Sequence, residues 1–165
     1  MEDNPIAALN LRKEAQFRGL DPNRLVFAKR MKLPEHLARL RAADLFIDTL
    51  PYNAHTTASD ALWAGLPVLT CMGESFASRV AASLLNAIEL PELITTTQEQ
   101  YEATAIELAT NPEKLKAIKD KLEKNRLTTA LFDTPRFTKH IEAAYKQMYE
   151  RYQVDLPLDH IYIED

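Results

Sequence analysis

Four short apolar runs, separated by stretches of helical period, constrain the fold of this chain more than any other feature. They are Arg24–Ala28 (RLVFA), Ala43–Leu50 (ADLFIDTL), Pro67–Cys71 (PVLTC) and Leu90–Thr95 (LPELIT). Each is of strand length. Leu45, Phe46 and Ile47 follow one another without alternation, the pattern of a strand covered on both faces. A first helix is predicted from Ile6 to near Gly19, where a residue without Cβ takes a left-handed cap. Residues 1–5 before it are expected to be disordered. A second helix covers Pro34–Ala43, with Pro34 in the first turn, where its missing N–H has no partner to lose. A third starts at Thr56 or Thr57, runs to Ala64 and closes at Gly65. A fourth, Phe76–Ile88, repeats Phe76, Val80, Ala81, Leu84, Leu85 and Ile88 with a period near 3.6. Alternation of this kind predicts an α/β fold: a Rossmann-like parallel sheet with helices on both faces. Helices Thr97–Ala109, Pro112–Lys124 and Pro135–Tyr152 then form a carboxyl-terminal cap, the last with Phe137, Ile141, Ala144, Tyr145, Met148 and Tyr152 in register. Residues 153–165 read as an acidic tail.

Composition excludes several functions. A length of 165 residues suits one domain. The 20 Lys+Arg against 24 Asp+Glu leave a net charge of −4, without the basic excess a nucleic-acid partner needs. No apolar run approaches the roughly 20 residues that span a bilayer, so no membrane partner is expected. No basic segment followed by an apolar core marks a secretory signal, and a cytoplasmic location is expected. Cys71, the single cysteine, rules out an intrachain disulfide and a Cys-rich metal site. It ends an apolar run and is expected to be buried, as is Trp63. No Asp-x-Asp pair marks a metal site, so no metal or other cofactor is expected.

Parallel sheets of this class bind ligands outside the carboxyl ends of their strands. The loops after the predicted strands are Lys29–Leu33, Pro51–Thr57 and Met72–Ser75. The middle one leads from Asp48 through His55, Thr56 and Thr57 to Asp60. The first N–H groups of a helix lack internal partners, and its dipole is positive there. With the hydroxyls of Thr56 and Thr57 added, a phosphate would be well held. Asp60, a turn later, would repel a phosphate on top of it and suits the hydroxyls of a ribose. The plainer alternative is helix capping, since Thr57 with Asp60 fits a capping box. Gly73-Glu74-Ser75 gives a weaker second anion-facing start, with Ser75 equally a plain cap. Asp44 and Asp48 flank a strand without the acidic pair of a receiver domain.

HTTASDALWAGLPVLTCMGESFASRVAASLL, residues 55–85, closely resembles the carboxyl lobe of O-linked N-acetylglucosamine transferases, glycosyltransferase family forty-one, which have the two-lobed GT-B fold. The resemblance continues through RLVFAKRMKLPEHLARLRAADLFIDTLPYNAHTT upstream and LFDTPRFTKHIEAAYKQMYERY downstream, spanning roughly residues 8–152. It implies that residues 1–152 are most of a UDP-sugar-binding lobe. His55, Thr56 and Thr57 would contact the diphosphate, with His55 also stabilising charge on it as the sugar leaves. Asp60 would hold the ribose. His36 would lie on the uracil ring, with Arg39 near that base and the Met31 main chain reading its edge. A solvated helix face is the alternative for His36 and Arg39. The family often has lysine where this chain has Leu33; Lys32 and Lys29 are the candidates to replace it.

The resemblance further implies metal-independent, inverting transfer of N-acetylglucosamine or a related sugar to Ser or Thr hydroxyls of a protein acceptor. Tetratricopeptide repeats often precede the lobes in bacterial members. The acceptor site and the base lie on an amino-terminal lobe for which this chain has no residues, so it is expected to be a piece, inactive alone. A non-catalytic nucleotide-binding or protein-interaction module with the same fold is the alternative.

Overall fold

The computed structural model describes residues 4–163 and divides the chain after Ala42 into two compact units. In the first unit, helix α1 spans Pro5–Phe17. The Asn4 carboxamide oxygen accepts from the N–H groups of Ile6 and Ala7 at 3.0 and 3.2 Å, capping it. Of the lead-in expected to be disordered, Asn4 and Pro5 thus belong to a capped helix, and residues 1–3 lie outside the described residues. Gly19, at φ 79°, takes the left-handed conformation after the helix. A 3-10 turn, Pro22–Arg24, opens on Asp21, and helix α2 covers Leu33–Leu40.

The run Arg24–Ala28 is not a strand: Arg24 ends the turn and, among the described residues, those that follow pair with no other strand. Val26 is 88% exposed. Phe27 lies beneath the guanidinium of Arg12, 5.0 Å from its ring centroid. An apolar run becomes a strand only when a neighbour takes up its N–H and C=O groups, and this unit supplies none.

The second unit holds the sheet. Its elements are β1 (Phe46–Ile47), α3 (Thr56–Ala64), β2 (Val68–Cys71), a 3-10 turn (Phe76–Ser78), α4 (Val80–Ala87), a 3-10 turn (Pro91–Leu93), β3 (Ile94–Thr95), α5 (Gln98–Thr110), α6 (Pro112–Asn125), a 3-10 turn (Ala130–Phe132) and α7 (Thr134–Gln153). The strands run parallel in the order β1-β2-β3, pairing Phe46 with Val68, Ile47 with Leu69, Thr70 with Ile94 and Cys71 with Thr95. The parallel α/β sheet read from the sequence is therefore present, with three strands among the described residues instead of four.

β2 is central and buried along its whole length. Around it Leu62, Leu66, Leu85, Ile88, Leu90, Leu93, Leu108 and Leu122 are excluded from solvent. β1 is shorter than its apolar run, and Ile47 is 49% exposed. It is an edge strand and not one covered on both faces. The predicted Phe76–Ile88 helix is broken into a turn and α4, because Ser75 caps the turn by accepting from the Ser78 N–H. Gly65, at φ 87°, ends α3. Cys71 is buried as expected, but Trp63 is half exposed. Its ring meets Phe132 edge-on at 5.0 Å and lies under the Arg126 guanidinium. None of the side chains of α7 is buried, so its apolar register faces outward at Phe137, Tyr145, Met148 and Tyr152. Among the described residues no helix is long and apolar enough to cross a membrane.

Tyr101 on α5 ties this helix to the end of β1. Its hydroxyl donates to the Asp48 carbonyl at 2.6 Å. Burial, with help from the Asp48 carboxylate and Cys71, pushes its pKa from 10.0 up to about 12. Above pH 10 the unfolded chain releases this proton while the folded chain keeps it, so the contribution to stability is complete below pH 10 and lost by pH 12. Urea midpoints of the wild type and Tyr101→Phe are therefore expected to converge between pH 9 and pH 12. Parallel curves would contradict this.

Candidate functional site

The loop between β1 and α3 is held by one carboxylate. Asp48 is buried. Its Oδ1 accepts from the N–H groups of Thr49 at 2.8 Å and Ala54 at 2.7 Å, and its Oδ2 accepts from the Thr70 hydroxyl at 2.7 Å. Thr70 in turn lies on central β2, so the loop is bolted to the middle of the sheet. Inside the loop the Thr49 hydroxyl donates to the Tyr52 carbonyl and the Asn53 amide to the Thr49 carbonyl, at 2.7 and 2.8 Å. Nothing in the residue pattern weighed for a ligand pointed to this scaffold. The signal available was Asp48 itself, a charged residue directly after an apolar run.

That loop delivers His55 to the start of α3. The side chains of Asn4, Thr97, Asn111 and Asp133 cap α1, α5, α6 and α7. α2, α3 and α4 start without a side-chain cap, α3 from His55. Thr56 is the first residue of the helix and Thr57 the second, so the capping box of Thr57 with Asp60 does not form: Thr57 lies too far inside the helix to serve as its cap. Both threonines are exposed, and among the described residues their hydroxyls make no hydrogen bond. Asp60 is half-buried and likewise without a hydrogen bond or ion pair among them. The structure thus brings His55, Thr56, Thr57 and Asp60 onto the first turns of one helix at the carboxyl end of the sheet. Open N–H donors and hydroxyls lie at its tip, and an unpaired carboxylate lies one turn on.

The imidazole of His55 is half-buried and fixed on three sides. Its Nε2 lies 3.3 Å from the Ala77 carbonyl. The Tyr52 ring stacks on it at 5.0 Å and the edge of Phe76 meets it at 5.8 Å. The sequence reading missed both aromatics. Ser75, its weaker anion candidate, is occupied in capping the turn before α4.

The remaining candidates lie in the first unit. On α2 the Arg39 guanidinium donates to His36 Nδ1 and to the Lys29 carbonyl, each at 2.9 Å. A guanidinium only donates, so Nδ1 of a neutral His36 is the acceptor and Nε2 carries the proton. The same arginine pins the loop that carries Met31, which is exposed. His36 and Arg39 are therefore a bonded, half-buried pair and not a solvated face. Leu33 is exposed at the first position of α2.

The model of glycosyl transferase family 41 matches residues 5–141. The UDP-N-acetylglucosamine–peptide N-acetylglucosaminyltransferase of Caenorhabditis elegans is 40% identical over 152 residues, which cover 92% of this chain and 13% of that protein. A probable enzyme of the same name from Arabidopsis thaliana, SEC, is 39% identical over 142 residues, 86% of this chain and 14% of that protein. Among solved structures, a mutant of the Thermobaculum terrenum O-GlcNAc transferase superposes with a TM-score of 0.82 at 33% identity, covering 88% of this chain and 28% of that one. The chain therefore spans only a small part of the length of the proteins it matches.

Proposed function

The chain belongs to glycosyl transferase family 41, and from that premise we propose that it is the donor-binding lobe of a protein O-glycosyltransferase. The parent enzyme transfers N-acetylglucosamine or a related sugar from a UDP-sugar to Ser or Thr hydroxyls of a protein acceptor. The uncapped start of α3 with the unpaired Asp60 behind it carries this reading. Donors and positive dipole suit the diphosphate, with His55, Thr56 and Thr57 as its ligands. The Asp60 carboxylate suits the ribose diol. On α2, His36 offers a flat imidazole for the uracil ring, with Arg39 beside it and the Met31 main chain reading the base edge. The acceptor is held by another lobe or by tetratricopeptide repeats of the parent, so this chain alone transfers no sugar. Its share of the relatives' length supports that division.

UDP titrated into the labelled chain and followed by NMR tests the reading. Weak binding is expected, with the amide signals of Thr56 and Thr57 moving most. Asp60→Ala removes a charged acceptor whose hydrogen bonds contribute roughly 1.5–3 kcal/mol, so UDP affinity falls about tenfold or more. Unmoved amides at the start of α3, or equal affinity in Asp60→Ala, would overturn the assignment.

A further inference from the structure

We propose that Tyr52 and Phe76 are positioning residues that hold the imidazole of His55 in one orientation and one tautomer, with Nε2–H on the Ala77 carbonyl and Nδ1 left free to engage a ligand. The inference depends on the proposed donor site only for its consequence, not for its geometry.

Two large, mostly exposed aromatic side chains flank a single histidine. Tyr52 is 66% exposed and Phe76 74%. Neither contributes to the core, yet each makes a defined ring contact with His55. The Tyr52 plane lies 19° from that of the imidazole, an offset stack, and Phe76 stands at 89°, edge to face. These are the two favoured geometries of paired π-systems. The flanking rings come from different loops, Tyr52 from the one after β1 and Phe76 from the one after β2.

The backbone fixes how those loops meet. The Ala77 carbonyl accepts from the Asn53 N–H at 3.0 Å and from His55 Nε2 at 3.3 Å. The Thr49 hydroxyl holds the Tyr52 carbonyl from the other side at 2.7 Å. A carbonyl oxygen only accepts, so the ring nitrogen facing it carries the proton. In the neutral imidazole, Nδ1 is then the bare nitrogen. One hydrogen bond of 3.3 Å does not by itself prevent the ring from turning over. A stacked face together with an edge contact holds the plane of the ring against the Ala77 carbonyl, and within that plane the hydrogen bond selects the orientation that places Nε2–H on it. Preorganising a ligating group in this way removes an ordering cost from binding.

The chain labelled with 15N at histidine provides the test. Two-bond proton–nitrogen correlations read the tautomer directly, and ring-current shifts of the imidazole protons read the stacking, both without ligand. In the wild type His55 is expected as the Nε2–H tautomer with displaced ring-proton shifts. Tyr52→Ala and Phe76→Ala are expected to move His55 toward a tautomer mixture, and Tyr52→Phe to restore the wild-type signature. Exposed as they are, both truncations leave the core intact. UDP affinity should fall about three- to tenfold in Tyr52→Ala and recover in Tyr52→Phe. A wild-type His55 in the Nδ1–H tautomer, or His55 signals unchanged by both alanine variants, would overturn the proposal. Signals that shift as expected in a chain that binds no UDP would uphold the positioning and refute the donor reading.

Discussion

Asp48→Ala is expected to destabilise the chain by about 3–5 kcal/mol, a large fraction of the stability of an ordinary domain. The buried carboxylate accepts three hydrogen bonds, from Thr49 N–H, Ala54 N–H and the Thr70 hydroxyl. Alanine leaves all three donors without their acceptor, the Thr70 hydroxyl in a buried site and the two main-chain N–H groups in partly buried ones, and each such loss is worth roughly 1–3 kcal/mol where water does not replace it. Relaxation of the loop recovers part of the sum. Asp48→Asn keeps an oxygen for the two main-chain donors and turns an NH2 toward Thr70, whose hydroxyl can accept it. That variant is expected to lose only about 1–2 kcal/mol. Urea unfolding gives both values from the shift in midpoint at constant slope. An alanine variant as stable as the wild type would show that the loop is held by something else. The same loop delivers His55, so Asp48→Ala is also expected to lose UDP affinity at temperatures where it remains folded.

His55→Ala in the parent enzyme is expected to lower kcat by about a hundredfold or more, with a smaller change in KM. On the proposed reading the departing sugar leaves negative charge growing on the diphosphate. With Nε2–H held on the Ala77 carbonyl, His55 meets that charge through Nδ1 only when this nitrogen also carries a proton, and such a preorganised donor aimed at developing charge is worth roughly 10²–10³ in rate. Binding of the ground-state donor is shared with Thr56, Thr57, Asp60 and the first N–H groups of α3, so it depends less on any one of them. His55 makes no capping bond to α3, and its truncation therefore leaves helix stability nearly intact. Thr56→Ala is harder to interpret on this point, because the first turn of a helix is sensitive to its side chains. A steady-state comparison of kcat and KM, with a thermal melt of each variant, separates the effects. Equal losses in KM and none in kcat would place His55 in ground-state binding alone.

The residues of the proposed site were legible one by one in the sequence. His55, Thr56, Thr57 and Asp60 fall on one short stretch after an apolar run, and helix-start chemistry depends only on local spacing. Helices α3, α5, α6 and α7 were legible for the same reason: their caps, prolines and 3.6-residue period are local signals. What surrounds His55 was not legible. Tyr52 and Phe76 are 24 residues apart in sequence, and only the parallel pairing of β1 with β2 brings their loops together at one end of the sheet. Thr70 reaches Asp48 across the same pairing.

Strands divided along the same line. The alternation of apolar runs with helical segments determined that the sheet would be parallel, because such runs can pair only by crossing over a helix. Which runs became strands was decided by neighbours. Val68–Cys71 has β1 on one side and β3 on the other and is buried throughout. Arg24–Ala28 is likewise mostly apolar but has no pairing partner among the described residues, and it stays an irregular segment with Val26 in solvent. A helix satisfies its own backbone, so its residues suffice to specify it. A strand satisfies none of its own backbone bonds and leaves them to other parts of the chain, so the tertiary structure decided where the strands of this protein begin and end.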